Sequence, residues 1–360
     1  MIPQHANPYN GIYAATLCPL DSQGRYIDEA ALAAHIKTVS DVDGIAGLLI
    51  NGHAGENFAI SRDEKRRVIE IAHAVCGDRL IIVTGVNSED SYEAQLHAND
   101  AKTAGADAIL LFPPFSWALS TDLPTVLLHH QIVNRDAQMP MMLYQSGVGT
   151  RGMAYTADML STLVRLPHVV AIKEGSWESA AYDGNRRLVK SVAPHVAVMA
   201  SGDEHLFTCF ALGTEGSLVS LAAVVPELIV ALYRAVNAGN LTEARRLHDA
   251  VYPLAREIYG KAPGTHANAR LKACLHLLGR IPHAAMRPPI PPLEKAALAP
   301  LEAALNVAIA CDTRSEVSSH SASHSTSHST SDSTSDSASN STSISPPHST
   351  PTAHPTRSDA

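Results

Sequence analysis

Cysteine is scarce in this chain of 360 residues, and its spacing excludes two kinds of site. The five cysteines are widely separated and odd in number, and no two of them form a Cys-x-x-Cys pair. Neither a disulfide framework nor a zinc site with that spacing is therefore expected. Long hydrophobic runs are also missing, because no stretch approaches the roughly eighteen apolar residues of a membrane-spanning helix.

Positive charge is the next thing that the sequence lacks. Lys and Arg number 27 against 35 Asp and Glu, which gives a net charge of −8, and no basic stripe stands out. This balance argues against a nucleic-acid partner. The first eight residues contain no basic region followed by an apolar run, so no signal peptide is expected and a reducing, cytoplasmic location is predicted.

The chain does contain enough hydrophobic residues, 45% of the total, for one large core. Its composition changes sharply near Asp312, and residues 313–360 consist mostly of Ser, Thr, His, Asp and Pro. A segment with so few apolar residues cannot offset its ordering entropy by burial, so a disordered tail is predicted there. Its histidines offer weak metal ligands, but a solvated tail is the favoured interpretation. Residues 1–312 are then predicted to form a single catalytic domain.

Short apolar runs alternate with helical patterns through this domain. The predicted strands are Ile12–Leu17, Gly47–Ile50, Leu80–Thr84, Ala108–Phe112, Met141–Tyr144, Val169–Lys173, Val196–Ala200 and Gly216–Ser220. The predicted helices between and after them include Asp28–Ser40, Ser61–Cys76, Ser88–Ala104, Thr121–Ala137, Tyr155–Leu166 and Pro226–Ala238. Eight strand–helix units in about 240 residues favour a (β/α)₈ TIM barrel over an open doubly wound sheet. Extra C-terminal helices are predicted over Leu241–Tyr259 and His266–Leu278.

Lys173 ends the sixth predicted strand. Four apolar residues precede it and a Glu-Gly-Ser break follows, which is typical of a buried parallel strand. Desolvation at such a position lowers the pKa of a lysine and supplies the neutral amine that imine formation with a carbonyl compound requires. The alternative is a lysine that keeps its charge in solvent at the edge of a strand.

In a barrel, active residues lie at the C-terminal ends of the strands or in the loops that follow. Four sequence features occupy such positions, namely Asn51–Glu56, Tyr144, Lys173 and Ser201–Glu204. Together they resemble the dihydrodipicolinate synthase / N-acetylneuraminate lyase family. The matching motifs are Gly52-His-Ala-Gly-Glu56, Met141-Met-Leu-Tyr144, Ile172-Lys-Glu174, Ser201-Gly-Asp203 and, more loosely, Gly213–Ser220.

The resemblance implies a class I lyase without a metal or an organic cofactor. Lys173 would form a Schiff base with pyruvate or another 2-keto acid, and Tyr144 on the neighbouring strand would act as general acid and base. A core tyrosine with a satisfied hydroxyl is the alternative for Tyr144. The resemblance also implies a homo-oligomer, a tetramer or a dimer.

Gly52, His53 and Ala54 are expected to bind the substrate carboxylate, because glycine lets backbone N–H groups converge on an anion. Glu56 is expected to fix this loop through hydrogen bonds. Taken alone, the loop is better interpreted as a tight turn. Leu218, near the end of the eighth strand, is expected to pack against the methyl side of the keto acid, or else to be an ordinary inward-facing residue.

The sequence departs from the synthases of the family in three segments. Their loop has two hydroxyl residues where this chain has His53 and Ala54, and a second tyrosine after the fourth strand where this chain has Ser116. Their arginine after the fifth strand is matched by no residue at the same spacing, although Arg151 lies a little further along. The hydroxyl relay of the synthases is therefore absent in that form.

These departures leave three hypotheses. The favoured one is a Schiff-base lyase, aldolase or dehydratase that acts on a 2-keto acid. The second is a 4-hydroxy-tetrahydrodipicolinate (dihydrodipicolinate) synthase with a rebuilt relay. The third is a barrel that binds a keto acid without turnover, which the presence of both Lys173 and Tyr144 disfavours.

Overall fold

Eight parallel strands close into a barrel in chain order, so that the last strand pairs with the first. The structure is a computed structural model that describes the backbone of residues 7–323 and the side chains of residues 7–311. The strands are β1 (Gly11–Ala15), β2 (Ile45–Ile50), β3 (Ile81–Val86), β4 (Ala108–Leu111), β5 (Met141–Gln145), β6 (Val169–Glu174), β7 (Ala197–Ala200) and β8 (Gly216–Val219). The helices of the barrel are α1 (Glu29–Ser40), α2 (Arg62–Cys76), α3 (Ser91–Ala104), α4 (Leu123–Val133), α5 (Ala157–Leu163), α6 (Ser179–Val192), α7 (Leu206–Leu212) and α8 (Pro226–Asn237).

The predicted (β/α)₈ TIM barrel is confirmed. Its strands are short apolar runs because both of their faces are covered, one by the barrel interior and the other by helices. All four residues of β4 and of β7 are buried, for example. The eight carboxyl ends of the strands therefore meet at one face of the barrel, where the loops that follow are brought together.

Capping side chains mark the starts of several helices, among them α2 and α4. Ser61 and Glu64 form a capping box at the start of α2, in which each side chain accepts the other residue's backbone N–H. Asp122 accepts the N–H of Thr125 and so begins α4 at Leu123, later than the predicted start at Thr121. The pattern had placed the end of this helix at Ala137, but it ends at Val133.

Additional helices follow the barrel, as predicted. They are α9 (Leu241–Tyr259), α10 (Ala267–Leu277) and α11 (Lys295–Ser323), of which the last was not predicted. The barrel, α9, α10 and the part of α11 up to Glu316 belong to one compact unit. Helix α11 thus continues beyond the predicted domain boundary at residue 312, and the rest of the predicted tail, 324–360, lies outside the described residues.

Two predictions made from the composition can be compared with the residues that the structure describes. No helix in the part of the chain that the structure describes is both long and apolar enough to cross a membrane. All five cysteines are buried and none is bonded to another, which agrees with their scattered positions in the sequence.

Candidate active site

Lys173 and Tyr144 lie side by side at the carboxyl end of the barrel. They are direct partners in the register between β5 and β6, and the Lys173 Nζ atom lies 5.6 Å from the centre of the Tyr144 ring. Each side chain retains only 9% of its accessible surface. The two residues singled out in the sequence are therefore brought together in a nearly closed space.

Burial changes the proton affinity of both groups. Desolvation lowers the pKa of Lys173 from 10.5 to about 8, and the charge of Asp203 opposes this shift. At neutral pH about one lysine in ten is then the free amine, against fewer than one in a thousand for an ordinary lysine. Desolvation also raises the pKa of Tyr144 to about 12, so its phenol keeps its proton and acts as a donor.

His53 lies in a group of aromatic rings above the barrel. Its imidazole stacks on Phe112 at 4.3 Å between ring centres and meets the Tyr144 ring edge-on at 5.4 Å. Although the side chain is only half-buried, desolvation and the charge of Lys173 lower the pKa of His53 to about 3. His53 is therefore a neutral imidazole at physiological pH, close to both predicted catalytic residues.

The loop that carries His53 comes close to the neighbouring strand. An added Cβ at Gly85 of β3 would lie 2.0 Å from the carbonyl oxygen of Asn51, so only glycine permits this approach. Within the loop, the N–H groups of Glu56 and Asn57 donate to the carbonyls of His53 and Gly52. The N–H groups of His53 and Ala54 have no acceptor among the described residues, although Ala54 is buried.

Helix α10 holds this loop from outside the barrel. Lys272 and Glu56, both fully buried, form a short ion pair, and Lys272 also donates to the carbonyl of Ala285 at 2.8 Å. The side chain of Asn268 donates to the carbonyl of His53 at 2.6 Å. The structural role expected for Glu56 is thus observed, but Asn268 and Lys272 were not identified from the sequence.

A second set of polar groups lies on the other side of Lys173. Asp203, after β7, accepts the backbone N–H of Leu221 at 2.8 Å. The Tyr259 hydroxyl, on α9, forms a short hydrogen bond with Ser220, which directly follows β8. Desolvation raises the pKa of Asp203 to about 6, while the hydrogen bond from Leu221 and the charge of Lys173 oppose the rise.

The other predicted site residues are placed less centrally. Ser116 is exposed in a turn of 3₁₀ helix (Phe115–Ala118), and its N–H donates to Glu89 at 3.1 Å. Arg151 is exposed in a second 3₁₀ segment (Val148–Met153) that packs against this turn. Leu218 is fully buried in β8, where it pairs in register with Tyr13. Its predicted contact with a keto acid stays a prediction.

Metal ligands were not predicted in the barrel. Within the described residues, no group of three or more His, Cys, Asp or Glu side chains is arranged to hold a metal ion. The polar groups around Lys173 are instead a phenol, an imidazole, a carboxylate and backbone N–H groups. Such a set is suited to binding an anion and moving protons.

Residues 8–308 match the model of the Dihydrodipicolinate synthetase family. The chain belongs to this family. The match spans the barrel, helices α9 and α10 and part of α11, and it includes every residue of the candidate site. The family resemblance inferred from the motifs is therefore confirmed.

Two relatives illustrate the range of activities named in the family. The chain is 29% identical to a 4-hydroxy-tetrahydrodipicolinate synthase of Methanothrix thermoacetophila over 255 residues, which are 70% of this chain and 82% of the relative. It is 28% identical to an N-acetylneuraminate lyase of Rhizobium meliloti over 302 residues, 83% of this chain and 95% of the relative. The family members are lyases and aldolases, and this chain is an enzyme of that class.

Solved structures agree on the fold. A dihydrodipicolinate synthase of Agrobacterium tumefaciens superposes with a TM-score of 0.73 at 26% identity, covering 84% of this chain and 98% of that one. A synthase of Acinetobacter baumannii complexed with pyruvate gives the same TM-score at 23% identity, covering 83% and 98%. The second likeness is evidence for the fold alone.

Proposed function

We propose that this protein is a Schiff-base lyase or aldolase that acts on pyruvate or a related 2-keto acid. The observation that supports this most is the pairing of Lys173 with Tyr144 in adjacent strands, with the Lys173 Nζ atom 5.6 Å from the phenol ring. The lowered pKa of Lys173 favours attack of the free amine on the keto carbon. The protonated phenol of Tyr144 supplies the proton with which the carbinolamine oxygen leaves as water.

The keto-acid carboxylate would bind to the loop that follows β2. The N–H groups of His53 and Ala54 have no other acceptor among the described residues, so they are free to donate to a carboxylate. The neutral imidazole of His53 can donate a further hydrogen bond without adding charge to the site. In this proposal, Leu218 and Ser116 bound the space around the substrate.

Covalent trapping tests the imine directly. Incubation with pyruvate and borohydride should add a stable mass to the peptide that carries Lys173. Lys65 provides a matched control, because it is also buried and desolvation also lowers its pKa, yet it lies on α2. The Lys65→Met variant should still be labelled at Lys173. Label on another lysine, or none with any keto acid, would contradict the proposal.

The synthase activity named for several relatives is the second candidate. In this chain the side chain of Ala54 has no hydroxyl that could take part in a proton relay. Ser116 is exposed, and its backbone N–H donates a hydrogen bond to Glu89. Condensation of pyruvate with aspartate semialdehyde should therefore be poor, while pyruvate release from 2-keto-3-deoxy sugar acids or sialic acid is the activity to survey. A kcat/KM of about 10⁴ M⁻¹s⁻¹ or more with aspartate semialdehyde would favour the synthase.

Assembly and location belong to the same proposal. Exposed apolar side chains at Phe115, Leu119 and Val148 lie in the segments that follow β4 and β5, and such a patch suits a homo-oligomer, a dimer or a tetramer. Light scattering of the purified protein would measure its mass in solution. The cytoplasmic location stays a prediction from the sequence.

A further inference from the structure

Glu56 ends the loop that is proposed to bind the substrate carboxylate, and a segment from much later in the chain holds it. This segment, Ala285–Arg287, follows α10 and is called the C-terminal clamp here. The backbone N–H of Arg287 donates to the Glu56 carboxylate at 3.1 Å, and the carbonyl of Ala285 accepts from Lys272 at 2.8 Å. Glu56 is therefore bound by the clamp as well as by Lys272.

The guanidinium group of Arg287 extends these contacts along the chain after the loop. Its two terminal nitrogens donate to the two carboxylate oxygens of Glu64, each at 2.9 Å, in a bidentate pair. One of these nitrogens also donates to the carbonyl of Ala59 at 3.4 Å. The connection from Glu56 to the first turn of α2 is thus held at its beginning, middle and end by one residue.

The side chains of this connection supply little support of their own. Asn57 keeps 1% of its accessible surface, yet neither polar atom of its side chain has a hydrogen-bond partner within the described part of the chain. The side chain of Phe58 is 49% exposed. Glu64 also accepts the N–H of Ser61 in the capping box of α2, so one carboxylate joins the helix start to the clamp.

The C-terminal clamp is itself fixed by a second part of the barrel. Arg287 donates to the carbonyl of Arg25, in the segment between β1 and α1, at 2.7 Å. At Gly24, whose φ is +68°, an added Cβ would lie 2.2 Å from the carbonyl oxygen of Met286, so only glycine permits this approach. The connections after β1 and after β2 therefore meet at the clamp, which gives the loop a fixed reference.

We propose that Arg287 is a positioning residue for substrate binding: by holding the connection from Glu56 to Glu64, it keeps the N–H groups of the preceding loop converged on the keto-acid carboxylate. The proposal rests on the carboxylate site and the imine chemistry proposed above. Backbone N–H groups bind an anion tightly when they are aligned before it arrives, because ordering them on binding costs affinity. None of the hydrogen bonds that Arg287 makes to the described residues reaches β5 or β6, so Lys173 and Tyr144 should react as before once the substrate is bound.

An arginine that only supported the fold would have a different signature. Its loss would lower the melting temperature and the fraction of protein that can be labelled, and the pyruvate concentration for half-maximal labelling would stay the same. Loss of a positioning residue raises that concentration. It does so for a ligand with a carboxylate and leaves a carbonyl compound without one unaffected.

The test is the dependence of imine trapping on pyruvate concentration in the full-length protein. The rate at which pyruvate and cyanoborohydride label Lys173 is measured as pyruvate is raised to saturation. Arg287→Met should raise the half-saturating concentration about tenfold, the effect of weakening one hydrogen bond to a charged group, and should keep the maximal rate within about twofold. Labelling by acetone, which has no carboxylate, should proceed at the same rate in both proteins.

Arg67→Met is the matched control. Arg67, on α2, also forms a bidentate pair with a glutamate, donating to the two carboxylate oxygens of Glu29 at 2.9 and 2.8 Å. Its other side-chain hydrogen bond among the described residues goes to Glu70, on the same helix. Because these contacts do not involve the loop or its connection to α2, the half-saturating pyruvate concentration should not change.

The outcomes separate the two proposals. No labelling of the wild-type protein with any keto acid would contradict the imine mechanism itself. Normal labelling with an unchanged half-saturating concentration in Arg287→Met, or an equal loss with pyruvate and with acetone, would overturn the role of Arg287 and leave the mechanism intact. If Arg287→Met does not fold, Glu64→Gln decides, because it removes the charge that Arg287 binds while its amide oxygen can still cap α2. A raised half-saturating concentration in that variant would support the proposal, and an unchanged value would refute it.

Discussion

Two buried lysines in this protein have opposite surroundings. No carboxylate among the described side chains makes an ion pair with Lys173, near the end of β6, and desolvation lowers the pKa of this lysine to about 8. Lys272, in α10, is in direct contact with the carboxylate of Glu56, and neither side chain is exposed. The unpaired lysine is suited to reaction, because its charge is costly to keep. The paired lysine is suited to holding a loop, because separating the pair is costly.

Replacing the reactive lysine should have the largest effect and should separate activity from stability. Lys173→Met is expected to abolish labelling and turnover. Because the pKa of Lys173 falls from 10.5 to about 8 on folding, its charge costs up to about 3 kcal/mol below pH 8. The variant should therefore unfold at higher denaturant concentration at pH 7, and this gain should shrink as pH rises toward 10. A marked loss of stability at pH 7 would contradict the conclusion that burial makes the charged form of Lys173 costly.

Replacing Tyr144, the neighbour of the reactive lysine, should lower the turnover rate more than it lowers the trapping of pyruvate. Tyr144→Phe removes the phenol hydroxyl and leaves the ring that packs on His53 and Phe112. Turnover should fall by about 10²- to 10⁴-fold, the usual contribution of a general acid–base, while slow trapping of pyruvate continues. Steady-state rates and trapping rates measured on one preparation test this. Unchanged turnover would assign the proton to another group, with His53 the first to examine.

Replacing the paired lysine should damage stability first. Lys272→Met leaves the Glu56 carboxylate buried without its partner, which typically costs about 3–5 kcal/mol. Pyruvate binding should weaken as well, because Glu56 ends the loop that includes Ala54. Adding Glu56→Gln removes the stranded charge and should recover part of the loss in denaturant unfolding. A loss below about 1 kcal/mol in the single variant would show that the pair is not essential to the loop.

The smallest effect is expected far from both lysines. Removing residues 324–360, which are mostly Ser, Thr, His, Asp and Pro, should leave the melting temperature and the trapping rate unchanged. Side-by-side thermal melts of the full and shortened chains measure this. A clear drop in either quantity would show that the segment contributes to the barrel.

The position of a site residue could be predicted where the residues next to it in the sequence indicate its secondary structure and burial. Lys173 follows four apolar residues and Tyr144 ends another apolar run, so both could be placed at strand ends, and parallel pairing then brings them together. Tyr259, Asn268 and Lys272 could not be assigned in this way. Each lies on a helix after the barrel, and the partner of Lys272 is 216 residues away in the chain.

One local signal for Lys272 was present. It stands between Leu271 and Ala273 in a run that also contains Cys274 and Leu275, where a free lysine would be expensive to bury. The pattern thus indicates that a partner exists, but it contains no information about which carboxylate that partner is. The stacking of His53 on Phe112 was hidden for the same reason, since it depends on how two loops meet in space.

The ion pair between Glu56 and Lys272 also determines when the site can form during synthesis. The loop at Gly52–Glu56 leaves the ribosome early, but the amine that neutralises Glu56 arrives 216 residues later. Until Lys272 is present, the carboxylate of Glu56 is more stable in water than in the protein interior, and burial of the Gly52–Glu56 loop is unfavourable. A nascent chain that ends before Lys272 should therefore contain Lys173 and Tyr144, while its Gly52–Glu56 loop has not yet adopted the folded conformation.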